Sequence, residues 1–525
     1  MAVAVVSADE AVERIPDGAT LTISGNGSLL QPEGLLRALE RRFLATGRPR
    51  GLELYYPVVT GTGPGTGVDR LAHPGMLRGV VASCFDIWGI DGLARRIRAA
   101  DLAAHCVPMG VMFQLLHAAA DGQPGILSRV GLGTFVDPAV RGTAQNDVSG
   151  PSRARRVDIG GQVHLFYEAP AVGAAIIRAS VADEDGNLSL YREPIRQAVL
   201  TMALAARAGR GPVLAEVQAL VRRGTLPADR VDIPGFLVDA LVVDPSAQQS
   251  SVREYDPALT GEWDMASPPA PLPPGPDRVV ARRAALELRP GMVVNLGFGL
   301  AALVARIAAE EGVADDLTLS VEHGPLGGMP TGLETFGAAV SPRCILRSAD
   351  VFALYHTGQL DAAILSAAEV DAAGDANVSR FGDKMPGPGG YIDITGCTPR
   401  LILLCALTAG ARLQVEGPAL RVAAEGSVRR FVSRVRERTF SAAAAVERGA
   451  SVRYVTDRCT FDLTPRGLTL SEVAPGIDPR RDVLERMDFR PAVAEPLGRW
   501  PASPFAPGPM GLREAWAARS AGSAT

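Results

Sequence analysis

Lysine is almost absent from this chain: Lys384 is the only one, and arginine supplies every other long basic side chain. A Walker-type phosphate loop needs lysine followed by serine or threonine, whereas Lys384 precedes Met385, so ATP-driven chemistry through such a loop is excluded. Long apolar runs are missing as well. No stretch approaches the roughly 20 uncharged apolar residues of a membrane-spanning helix, and the start MAVAVVSADE lacks the basic flank and full apolar region of a leader. A cytoplasmic protein without a membrane partner is expected. The formal charge of −4, with both signs dispersed, offers no basic stripe to a nucleic acid. The six cysteines, Cys84, Cys106, Cys344, Cys397, Cys405 and Cys459, form no CxxC pair and read as small buried hydrophobes. The six histidines show no HExxH or comparable spacing, so no metal site is expected.

What is present points to a large α/β protein. With 525 residues, and a prior of about 150 per domain, at least two large domains are expected. MASPPAPLPPGP, residues 265–276, cannot form helix or central strand and marks an extended spacer. It separates a first domain over 1–264 from a second over 277–495, and the Pro-, Ala- and Gly-rich residues 496–525 read as an irregular, surface-draped tail. The same grammar of helix, turn, strand, glycine loop and helix occurs in AVERIPDGATLTISGNGSLLQPEGLLRALERRF and in ARRAALELRPGMVVNLGFGLAALVARIAAEEG. An internal duplication is therefore expected. Segments such as LELYYPVV, ALVVD and RLILLCAL, alternating with helical stretches, predict two related open α/β domains with parallel sheets.

The apolar run DLTLSVE ends in Glu322 and breaks into His323-Gly324-Pro325-Leu326-Gly327-Gly328. An acid at a strand end beside glycines suits direct contact with a ligand, because glycine permits close approach and unusual backbone angles. The bland alternative is an exposed strand-end acid, and His323 reads equally as a plain loop residue or as a hydrogen-bond partner of a substrate carboxylate. A second glycine run, Gly387-Pro388-Gly389-Gly390, precedes YIDIT, read as a strand; the run is either a strand-leading turn or a set of amides aimed at a reacting carbonyl. Lys384 in FGDKMPGPGG is either a lone survivor of an arginine-rich composition or a group steadying an anionic ligand. A rival reading starts from Gly297-Phe298-Gly299-Leu300-Ala301-Ala302, which fits GxGxxA after a strand, with Glu322 near the spacing of a ribose-binding acid. That pattern predicts a nicotinamide-dependent oxidoreductase, or nothing more than a tight strand-to-helix turn. The echo loop GNGSLL does not continue it, and two glycine runs near one acid favour an oxyanion site.

SVEHGPLGGMPTGLETFGAAV, the stretch from LDAAILSAAEVDAAGDANVSRFGDKMPGPGGYIDITGCTPRLILL, and TFDLTPRGLTLSEVAPGIDPRRDVLERMDF resemble the class I coenzyme A transferases, in particular the acetate/propionate type with both halves fused in one chain. GLGTFVDP, ADEDGNLSL and VLAEVQALVRRGTLPADRVDIPG extend the resemblance over nearly the whole sequence. The resemblance implies two CoA-transferase-like α/β domains with the active site between them, acyl-CoA and a carboxylic acid as substrates, and a homo-oligomer, dimer or tetramer. It places the catalytic glutamate on Glu322 and the second glycine motif on Gly387 to Gly390, with Gly389 and Gly390 offering oxyanion amides. Gly324, Gly327, Gly328, Lys384 and Gly387 are then candidates for contact with coenzyme A, which serves as substrate and covalent intermediate with no tightly bound cofactor.

The chemistry implied is exchange of one thioester for another. An ordinary glutamate, with a pKa of about 4.3, is already ionised at neutral pH and needs no general base. Three departures from the family's pattern fall in the expected substrate pocket: Gly25-Asn26-Gly27 in place of an SGFxG-type loop, Met109 where a PQG triplet is usual, and His356 in place of a YDGG-like run. A catalytically silent acyl-CoA-binding protein would use the same site for binding alone.

Overall fold

The computed structural model describes residues 3–264 and 269–522. Each side of the proline-rich stretch builds its own sheet. In the first, β1 (Thr20–Ile23), β2 (Leu52–Tyr56), β3 (Val172–Asp183), β4 (Val213–Val221) and β5 (Ala240–Val243) lie in the order β2-β1-β3-β4-β5, all parallel. In the second, β6 (Val293–Leu296), β7 (Thr318–Ser320), β8 (Ala362–Ser366), β9 (Arg400–Cys405) and β10 (Ser451–Thr456) repeat that order as β7-β6-β8-β9-β10, again all parallel. The shared five-stranded core is the duplication expected from the sequence. These strands are buried on both faces, which explains why RLILLC and VGAAII read as continuous apolar runs rather than alternating ones.

The echoed segments form the same unit twice. After β1, a turn leads into α1 (Glu33–Thr46), whose Leu35, Leu36, Ala38 and Leu39 face the core and which ends at Gly47 in the left-handed conformation. After β6, a short 3-10 turn leads into a helix over Leu303–Glu310. The start of α1 rests on buried Glu216 of β4, whose Oε2 accepts the Leu35 N–H at 2.8 Å. Burial pushes the Glu216 carboxyl up to about 7, against the Leu35 amide and Arg178, which pull it down. Its proton is therefore held more tightly in the folded than in the unfolded chain, so stability falls as pH rises from about 4.5 to about 7, by up to about 1.4 kcal/mol per pH unit. Glu216→Gln is expected to flatten that stretch of a stability-against-pH curve measured by urea unfolding.

Three expectations are corrected. The expected irregular tail beyond residue 496 is packed: Trp500 donates its indole N–H to Thr460 Oγ1 at 2.9 Å, and a helix over Leu512–Gly522 buries Trp516 completely. Buried Arg282 holds the intervening coil through the Ala506 and Gly508 carbonyls at 2.6 and 2.7 Å. YIDIT belongs to a helix over Tyr391–Cys397 and not to a strand; its β-branched residues are buried between the two halves, where packing overrides local preference. Four of the cysteines are buried, whereas Cys344 is exposed and Cys397 half-buried. Of the spacer, residues 265–268 lie outside the described residues, and 269–275 form no helix or strand before Pro276 opens a helix. No helix among the described residues is long and apolar enough to cross a membrane.

The halves interlock. Val58, Met109 and Phe113 join the second half's core, while Met385 and Ile392 join the first half's. Backbone bonds stitch the seam: Phe85 N–H to Pro386 O at 3.1 Å, and Met109 N–H to Gly389 O at 3.2 Å.

Candidate active site

Glu322 lies two residues beyond the carboxyl end of β7, the position where ligands meet open parallel sheets. It is 9 % exposed and lines a cavity of about 620 Å³ between the halves. Among the described lining residues it is the only carboxylate. Its Oε2 accepts the Asn295 Nδ2 amide at 3.1 Å, and Asn295, on the neighbouring β6, also reaches the Tyr355 hydroxyl at 3.2 Å. Tyr355 in turn lies 2.6 Å from Ser320 Oγ. Burial, and then the negative charge of Glu322, drives the Tyr355 phenol well above its ordinary value, so it stays a neutral hydrogen-bonding group. The other carboxylate oxygen, Oε1, has no hydrogen-bond donor among the described residues; the His323 Nε2 stands 3.9 Å away. Burial holds His323 below the usual histidine range despite that neighbouring charge, which leaves its imidazole neutral. One oxygen is anchored and the other has no donor among the described residues.

Asn295 was not visible as a site residue from the sequence. Its only signal is a polar side chain in the middle of an apolar strand, VVNL, where a buried amide must find partners.

The glycines divide. Gly387 and Gly390 line the cavity with Glu322 and Met109. Gly389 lines it too, but its N–H already donates to the Ser83 carbonyl at 3.1 Å, whereas the Gly390 N–H has no partner among the described residues. Gly387 stands against the other half: a Cβ there would sit 2.7 Å from Cys84 Cα. Gly324, Gly327 and Gly328, expected beside coenzyme A, do not line the cavity. A Cβ would meet Leu346 O at 2.6 Å from Gly324 and Arg343 Cγ at 2.8 Å from Gly327, and one at Gly328 would strike the Val340 carbonyl. What approaches these glycines is the chain itself.

Gly25, Asn26, Gly27, His356 and Lys384 are placed around the cavity rather than in it, whereas Met109 lines it. Asn26 Nδ2 donates to the Phe336 carbonyl at 2.8 Å and Gly27 abuts the Trp88 indole, so both stand against cavity-lining aromatics, while Gly25 exchanges hydrogen bonds with the Gln197 side chain. His356 packs against Gln114, with Nε2 3.4 Å from Asp393 Oδ1, while Asp393 Oδ2 accepts the Gly110 N–H at 3.0 Å and so fixes the segment that carries Met109. Lys384 is 61 % exposed and pairs with Asp86 at 3.2 Å. Gly297 to Ala302 forms a tight strand-to-helix turn, with Gly297, Phe298, Gly299 and Leu300 lining the cavity.

The chain belongs to the coenzyme A transferase family, with which the duplicated α/β fold and the glutamate in the cleft between its halves agree. The model of the family, described as coenzyme A transferase, matches residues 5–244. Acetate CoA-transferase YdiF of Escherichia coli O157:H7 is 38% identical over 506 residues, 94% of each chain, and the caffeate CoA-transferase of Acetobacterium woodii is 36% identical over 502 residues, 94% of this chain and 95% of its own. The crystal structure of the E. coli O157:H7 acyl-CoA transferase YdiF apoenzyme superimposes with a TM-score of 0.92 at 37% identity, covering 97% of both chains. The protein is thus a CoA-transferase of the fused, single-chain type, moving coenzyme A between an acyl-CoA and a carboxylate. This replaces the nicotinamide-dependent and the catalytically silent readings.

Proposed function

We propose that Glu322 carries coenzyme A through a ping-pong exchange. The observation that carries the reading is a single carboxylate lining the inter-half cavity, with one oxygen held by Asn295 and the other free. The free oxygen attacks the acyl-CoA carbonyl, the C–S bond breaks, and CoA thiolate leaves behind an acyl-glutamyl anhydride. The thiolate then attacks the glutamyl carbonyl, releasing the first acid and forming the glutamyl-CoA thioester. A second carboxylate attacks that thioester, expels the thiolate and forms a new anhydride; the thiolate takes its acyl group and frees Glu322. No proton is consumed at any step, which accords with the neutral His323 beside the nucleophile. The Gly390 N–H is the oxyanion donor in this scheme, and the burial of the cleft guards both intermediates against water. A crystal structure of the E. coli relative described as a thioester complex with CoA supports the reading.

An acceptor acid labelled with heavy oxygen in both positions tests the route. The anhydride passes one labelled oxygen to the Glu322 side chain, and peptide mass spectrometry after turnover should find it there. An unlabelled Glu322 peptide after many turnovers contradicts the anhydride.

Asn295→Ala is expected to lower kcat by about 10- to 100-fold, the usual cost of a misplaced reacting group, while KM for acyl-CoA changes little. Steady-state rates decide it. The homo-oligomer implied by the resemblance draws support from large exposed apolar side chains, Phe236 and Trp263, and light scattering in solution tests it.

A further inference from the structure

Phe336 connects one side of the cavity to the neighbour of the nucleophile. Its ring meets His323 edge-on at 5.9 Å and Phe298 edge-on at 5.4 Å, and lies 6.4 Å from Trp88. Val58, Ile87 and Met109 of the first half line the same cavity, and Trp88, Phe298 and Phe336 form an aromatic wall in it. That wall contains no cation. Among the described lining residues, Arg430 alone carries a permanent positive charge, and it lies beyond the ends of β8 and β9, with Nη1 on the Ala368 carbonyl at 3.0 Å and its backbone N–H on Leu407 O. Those strands stand two and three places from β7, roughly 10–14 Å across the sheet at the usual strand spacing. The cleft thus has an aromatic end beside His323 and a cationic end remote from it.

Resting on the glutamyl-CoA reading above, we infer that the acyl group exchanged belongs to a bulky apolar monocarboxylic acid bearing an aryl ring, seated at the aromatic end against Trp88 and Phe336. An aryl tail gains both burial and ring-to-ring contact there. An acid of two or three carbons leaves that wall largely uncovered. A dicarboxylic acid must bring a second charge against it, stripped of water and with no cation to pair it, the least favourable form of burial. The neutral state of His323 denies that charge its one nearby alternative.

The test uses the full-length enzyme loaded with propionyl-CoA, with CoA on the protein confirmed by intact mass, and then 3-phenylpropionate, propionate or succinate as acceptor. The kcat/KM for 3-phenylpropionate should exceed that for propionate at least tenfold and that for succinate at least a hundredfold. Trp88→Ala should lower the 3-phenylpropionate value at least tenfold more than the propionate value, and Trp88→Phe, which keeps a ring and the packing, should retain the aryl preference. Succinate used as well as 3-phenylpropionate places the acyl group at the Arg430 end and overturns the inference. A preference for propionate, or equal losses for both acids in Trp88→Ala, overturns it too. Failure to load CoA from any acyl-CoA refutes the glutamyl reading instead.

Discussion

Glu322→Ala is expected to lower CoA exchange by at least about 10⁴-fold, the scale on which enzymes that work through a covalent intermediate lose rate with their nucleophile. Among the described residues no other carboxylate lines the cavity, so none of them can take over. Fold stability should survive, because Glu322 has one strong partner, the Asn295 amide, and lies at a strand end rather than in the core. Glu322→Gln makes the sharper comparison. Its amide oxygen can still accept from Asn295 and its volume is unchanged, yet it has no anionic oxygen to attack a thioester. Both variants should retain the melting transition within a few degrees, and coupled-assay rates with saturating acyl-CoA should fall to background. Activity in the Gln variant within tenfold of the parent would move the chemistry elsewhere.

The second large effect is on folding. Trp516 is fully buried, and its indole N–H donates to the Ala285 carbonyl at 3.2 Å, at the end of the helix over Pro276–Ala285 that opens the second half. Trp516→Ala removes a large ring from a closed site and is expected to cost about 3–5 kcal/mol. Removing the chain from residue 500 onwards should cost more, since it also strips away the buried Trp500 and Leu512 side chains and the Ala506 and Gly508 carbonyls that hold Arg282. Chemical denaturation followed by tryptophan fluorescence measures both. A Trp516→Ala variant as stable as the parent would mean that the tail only rests on the surface.

The tail shows why some of the fold escaped the sequence. Its Pro, Gly and Ala content reads as disorder, and two tryptophans among them carry no periodicity; only the pocket they fill reveals their role. The duplicated core was legible because its longer strands, such as those in VGAAII and RLILLC, are mostly apolar and each glycine loop falls between strand and helix, so the local pattern and the tertiary position agree. The place of Glu322 beyond a strand end was legible for the same reason. Gly324, Gly327 and Gly328 stand against neighbouring chain and outside the cavity lining, and a glycine that admits a substrate and one that admits a neighbouring backbone look identical in sequence. Asn295 acts through a cross-strand neighbour, with a register of Asn295 opposite Ser320 that only the sheet supplies. His356 and Asn26 stand out as departures from a family pattern, yet they fasten the walls of the cavity rather than line it.

Intact-protein mass spectrometry after incubation with an acyl-CoA in the absence of acceptor shows whether Glu322 carries CoA. The expected result is a mass increase equal to CoA less one water, mapped to the peptide containing Glu322, discharged by added carboxylic acid and absent from Glu322→Gln. An enzyme that exchanges CoA at full rate yet never carries the adduct, or carries it on another residue, would contradict it.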